Sequence, residues 1–148
     1  MNELHQEWLK TLEQLKSAEG FIFSLGYFPL TRALLENSEA AGGNAMAIDP
    51  SDGPLFVVLL NPTWDSPEDD LRIHKGVEEL LAKFKIGAKE KGLLHRYPFT
   101  NYAYNHEDAL NGYGEESLES LRNVNAKYDP DGIFQKAVPG GFKISESK

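Results

Sequence analysis

The sequence predicts an α+β protein, an antiparallel β-sheet with helices packed on one face, built as one domain over residues 1–148. Three observations lead there. Amphipathic helical segments alternate with short apolar runs of strand character. The turns joining them are brief, and no segment repeats at a solenoid period. A length of 148 residues, with 41% hydrophobic and 26% charged side chains, suits a single folded domain that buries its own core.

Glu3 to Ser17 carries Leu4, Trp8, Leu12 and Leu15 on one helical face, with Glu7, Lys10, Glu13, Gln14 and Lys16 elsewhere. Gly20 ends this helix. Phe21 to Leu30 is an aromatic-rich strand closed by Pro29. Thr31 to Glu36 reads as a helical turn, Asn44 to Ile48 as a short strand, and Asp49 to Pro54 as a turn on composition. Leu55 to Asn61 is the clearest strand. Ser66-Pro67-Glu68-Asp69 then opens a helix with an N-cap, a proline and acidic residues where the helix dipole favours them. Ile73, Val77, Leu80, Leu81, Phe84 and Ala88 form its apolar face, and Gly92 stops it. A strand at Phe99 to Tyr104 and a helix at Glu115 to Lys127 follow, with Leu118, Leu121 and Val124 inward. Tyr128-Asp129-Pro130-Asp131-Gly132 breaks that helix before an aromatic tail.

The strands Phe21 to Phe28 and Leu55 to Leu60 are apolar on both faces. A sheet with helices on one side and water on the other alternates apolar with polar residues, so something is expected to cover the second face. The options are a second copy, an apolar ligand or the C-terminal tail; a homodimer is the expected solution.

A net charge of −8 and a pI near 5.0 argue against nucleic acid, which needs a clustered basic surface, and against anionic membranes. Leu55 to Leu60 is far too short to cross a bilayer, and Met1-Asn2-Glu3 begins a polar helix instead of a signal peptide. A soluble cytoplasmic protein is the expectation. There is no cysteine, hence no disulfide and no thiol chemistry.

No glycine-rich phosphate loop, metalloprotease or EF-hand pattern, or nucleophile elbow occurs, and His5, His74, His95 and His106 lack metal-ligand spacing. No metal is expected. The candidate catalytic residues are Tyr97, Asn101, Tyr102, Tyr104 and His95, because phenols, an amide and an imidazole can orient a carbonyl compound and move a proton at neutral pH. The candidate substrate-binding residues are Phe23, Tyr27, Asn61, Trp64 and Arg96. The plainer alternative is that the tyrosines fill core space with wet hydroxyls and that His95 and Arg96 decorate a loop.

Asn101-Tyr102-Ala103, Tyr113-Gly114, Leu118 with Leu121-Arg122, Lys127-Tyr128-Asp129-Pro130, Gly132 with Phe134 and Pro139-Gly140-Gly141-Phe142-Lys143 occur in series. Upstream stand Phe23-Ser24-Leu25-Gly26 with Pro29-Leu30, Ser38 to Asn44, Asp52-Gly53-Pro54 and Leu59-Leu60-Asn61. Together they resemble the C-terminal part of the fungal berberine-bridge-enzyme-like FAD-linked oxidoreductases of the vanillyl-alcohol-oxidase superfamily. The resemblance implies their α+β substrate-domain fold, and places Asn101-Tyr102 in a segment close to the isoalloxazine. It does not include the FAD-binding domain, and without cysteine a cysteinyl-flavin bond is chemically excluded. No cofactor is therefore expected on this chain. The expected function is a cofactor-independent cyclase or isomerase, such as a Diels–Alderase, acting on a hydrophobic small molecule of fungal secondary metabolism. Alternatives are a fragment or split half of an FAD-dependent oxidoreductase, and a non-catalytic binding module.

Overall fold

In chain order the helices are α1 (Asn2–Leu15), α2 (Arg32–Ala40), α3 (Asp70–Glu90), α4 (Glu115–Tyr128) and α5 (Ile133–Lys136), and the strands are β1 (Ile22–Leu30) and β2 (Leu55–Thr63). The computed structural model describes residues 2–144. β1 and β2 pair as a two-stranded antiparallel sheet, so the α+β class and the helix-packed antiparallel pairing are both present. The chain divides into two units, Met1–Phe28 with Val57–Leu94, and Pro29–Phe56 with His95–Lys148.

In the first unit, Phe23, Leu80 and Phe84 are buried together, with Leu4, Trp8, Leu12, Leu25, Val58, Leu60 and Val77 packed around them. The predicted stripes of α1 and α3 therefore meet one face of the sheet. Each such side chain taken from water contributes about 1.5–3 kcal/mol. α1 and α3 approach closely at Gly76, where a Cβ would lie 3.1 Å from Leu15 Cδ1. Polar pairs fix the same approach: Lys91 to Glu3, and Arg72 Nη1 donating to Ser17 Oγ at 2.8 Å. The entry to α3 is a 3-10 turn, Pro67–Asp69, in which Ser66 Oγ accepts from the Glu68 N–H at 3.3 Å.

The opposite face of the sheet is open. Strand alternation puts Ile22, Ser24, Gly26 and Phe28 beside Val57, Leu59 and Asn61. A Cβ on Gly26 would stand 3.2 Å from the Phe28 ring and 3.5 Å from Leu59 Cβ, which fixes these residues to one side. Ile22 is 65% exposed and Phe28 42%. The doubly apolar pattern thus describes a real surface, on which Ser24, Asn61 and Thr63 are the polar side chains.

In the second unit, Leu35, Ile48, Ala109 and Leu118 are the buried apolar residues among those described. Thr31 Oγ1 caps α2 by accepting from the Leu34 N–H at 3.3 Å, and this carries the helix beyond the single turn expected. Two predicted strands do not form. Asn44 Oδ1 accepts from the Met46 N–H at 3.0 Å, folding 44–48 into turns. The Tyr102 N–H donates to the Phe99 carbonyl at 2.9 Å, and the two rings meet at 5.4 Å. Strand propensity is context-dependent, and neither segment has a ladder partner within the described residues. Asp129 takes the N–H groups of Ile133 and Phe134 at 2.7 and 3.0 Å, so the helix breaker also starts α5.

Candidate functional site

The densest polar network joins three loops of the second unit. His95 Nδ1 accepts the Tyr97 N–H at 3.1 Å, and a backbone amide can only donate. The ring proton therefore resides on Nε2, which donates to Asp52 Oδ2 at 3.1 Å. That same oxygen accepts the Asp49 N–H at 3.3 Å, closing a capping box in which Asp49 Oδ1 takes the Ser51 N–H at 2.6 Å. The Ser51 side-chain hydrogen bond, followed by this backbone one, lowers the Asp49 carboxyl below its ordinary value.

Arg96 spans the other two loops. Its Nη2 donates to the Ala47 carbonyl at 2.5 Å and its Nη1 to the Gly112 carbonyl. Ala47 has φ 47°, a left-handed backbone that glycine ordinarily occupies, and such a residue persists only where its surroundings enforce it. Gly112 is fully packed, because a Cβ there would fall 2.2 Å from Pro98 Cδ and 2.8 Å from the Arg96 carbonyl oxygen. Only glycine fits.

Tyr97 donates its hydroxyl to Met46 Sδ at 2.8 Å and sets its ring 5.9 Å from that of Tyr113. Thr100 Oγ1 and the Tyr113 hydroxyl share a hydrogen bond of 2.7 Å. Burial, followed by the neighbouring Tyr113, pushes the Tyr97 phenol above its ordinary value. A phenol held neutral and already donating to sulfur serves as a strut between loops.

The predicted site residues therefore separate by role. His95, Arg96 and Tyr97 come together and tie 46–52, 95–100 and 111–114 into one platform. Asn101, Tyr102 and Tyr104 follow on it, exposed, with Tyr102 57% accessible. Tyr104 sets its ring edge-on to His106 at 4.7 Å.

The first unit holds the others. Phe23 belongs to the buried core, and the Tyr27 hydroxyl is buried with no protein partner among the described residues. Asn61 is exposed on the open sheet face. Trp64 donates Nε1–H to Asp70 Oδ1 at 2.7 Å and rests edge-on against His74 at 5.3 Å, so it secures the start of α3. His74 is half-buried under that indole.

Sequence reasoning missed Met46, Asp52, Thr100, Gly112 and Tyr113. The Asp49-Pro50-Ser51-Asp52 spacing of a capping box and the Asn111-Gly112 turn dipeptide were the available signals. Among the described residues no group of three or more His, Cys, Asp or Glu could hold a metal ion, and no helix is long and apolar enough to cross a membrane.

No family model matches the chain. No solved structure matches it either. It is 40% identical over 130 residues to an FAD-dependent monooxygenase of Fusarium proliferatum, a match covering 88% of this chain and 25% of that protein. It is also 40% identical over 131 residues to an FAD-dependent monooxygenase of Cochliobolus heterostrophus, again 88% of this chain and 25% of the relative. A bifunctional solanapyrone synthase of Alternaria solani is 27% identical over 135 residues, covering 91% of this chain and 26% of that protein. The chain is thus homologous to one part of fungal FAD-dependent monooxygenases, and it spans about a quarter of the length of these relatives.

Proposed function

We propose that this chain is the substrate-side portion of an FAD-linked oxidoreductase of the berberine-bridge-like kind, working with a flavin-binding portion from a longer polypeptide or a second chain. The observation that carries this reading is the alignment of 88% of the chain, at 40% identity, with a quarter of each FAD-dependent monooxygenase. The platform of His95, Arg96 and Tyr97 supports it by presenting the exposed Asn101, Tyr102 and Tyr104. In this reading those side chains meet the substrate beside the flavin, donating hydrogen bonds to its carbonyl or hydroxyl groups.

The depression along α4 does not suit the dinucleotide itself. The shallow depression along α4 is lined by Glu116 and Glu119 with Ser120, Asn123, Lys127 and Tyr128, and carboxylates repel a pyrophosphate. In this reading the FAD is held by the remaining three quarters of such an enzyme. A chimera tests this, with this chain replacing the matched quarter of the Fusarium relative. Stoichiometric flavin in the chimera, and none in the relative lacking its quarter, is expected. A colourless chimera overturns the reading.

A second reading is a cyclase or isomerase that uses no flavin. It is favoured by the match to a bifunctional solanapyrone synthase over 91% of this chain. Turnover of a reactive hydrophobic precursor by the colourless isolated chain would support it, and activity only with added FAD would exclude it.

A further inference from the structure

α3 turns one side inward through Ile73, Leu80 and Phe84 and leaves the opposite side uncovered. At about 100° per residue, Leu71, Lys75, Ala82 and Ile86 fall within about 60° of one another on that outer side. A solvated helix face carries charged and polar side chains. Here Leu71 is 86% exposed and Ile86 58%, and Leu93, in the turn just past the helix, is 73% exposed. The charges beside them are ordered. Lys75 stands seven positions before Ala82 and Glu90 eight after it, and all three are exposed. Other lysines of this helix and its cap are engaged inside the chain, Lys83 with Glu7 at 3.7 Å and Lys91 with Glu3.

We infer that α3 is a self-association face, on which a second copy of this chain docks its own α3 antiparallel about Ala82. A two-fold contact sets one patch against itself, so the patch must be its own complement. The charge order meets that condition. When two copies of α3 run antiparallel and cross at Ala82, Lys75 of each comes level with Glu90 of the other, and Leu71 of each reaches the end that carries Leu93 of the other. The small side chain at the crossing lets the helix axes close to about 8–10 Å. A parallel pair sets Lys75 against Lys75 and Glu90 against Glu90, and is disfavoured. One helix pair is smaller than a standard interface of about 800 Å² per partner, so the dimer is expected to be reversible, with a Kd on the order of micromolar.

Sedimentation of the chain and of Lys75→Glu, Glu90→Lys and the double exchange tests this, with helical circular dichroism separating lost association from lost folding. The unaltered chain is expected to dimerise. Each single exchange sets like charges together twice by symmetry and is expected to weaken the dimer at least about tenfold. The two single variants mixed, or the double exchange alone, bring opposite charges together again and are expected to restore it. A chain that stays monomeric at its highest soluble concentration overturns the inference. A dimer that tolerates both single exchanges forms through another surface and overturns it too. If the free chain is monomeric and Ile86→Asp strips flavin from the chimera described above, the longer polypeptide covers this face and the second copy is excluded.

Discussion

His95 and Asp52, 43 positions apart, are joined through Nε2 at 3.1 Å while the other ring nitrogen is held by the Tyr97 amide. Both nitrogens are engaged, so the imidazole is fixed in one tautomer and orients the 95–97 segment against the 49–53 turn. Asp52→Ala removes the acceptor for His95 and half of the capping box. A loss of about 1–2 kcal/mol is expected in urea unfolding. Unchanged stability would show that water replaces Asp52 without cost.

Gly112 and Gly87 make a paired test of packing. Gly112→Ala forces a Cβ into Pro98 and the Arg96 carbonyl, at 2.2 and 2.8 Å, and is expected to destabilise by at least about 2 kcal/mol. Gly87→Ala adds a methyl inside α3 where nothing lies within 4 Å; removing a helix-interior glycine is expected to stabilise by about 0.5–1 kcal/mol. Thermal unfolding of both variants reads the two signs.

The Tyr97 phenol titrates above its ordinary value because burial disfavours the phenolate. The folded state binds this proton more tightly than the unfolded one. Its contribution is therefore complete below the ordinary phenol value and is lost as pH rises from there through the raised value of the folded state. Ultraviolet titration should show one phenol lagging the others, absent in Tyr97→Phe. Stability measured across the same alkaline range should fall less steeply in that variant.

Two nearby positions of α3 should respond unequally to truncation. Ile73 is 0% exposed and Leu71 is 86% exposed. Ile73→Ala is expected to cost about 2–5 kcal/mol, and Leu71→Ala to stay within about 0.5 kcal/mol. Equal effects would mean that Leu71 is covered in solution, as a docked partner would do.

The sequence by itself determined α1, α3, α4 and the two paired strands. In α1 and α3 the apolar positions recur at the helical repeat, and Ser66-Pro67 marks an entry that depends only on neighbouring residues. The same local pattern made β1 and β2 apolar on both sides, and the structure leaves one of those sides open. Only tertiary structure decided the fate of 44–48 and 99–104. Strand formation needs a partner ladder, and none is offered within the described residues. The roles of His95, Arg96 and Tyr97 were likewise settled by residues far along the chain, Met46, Ala47, Asp52 and Gly112. Periodicity records which face a side chain takes, whereas a hydrogen bond between distant loops leaves no repeat in the sequence.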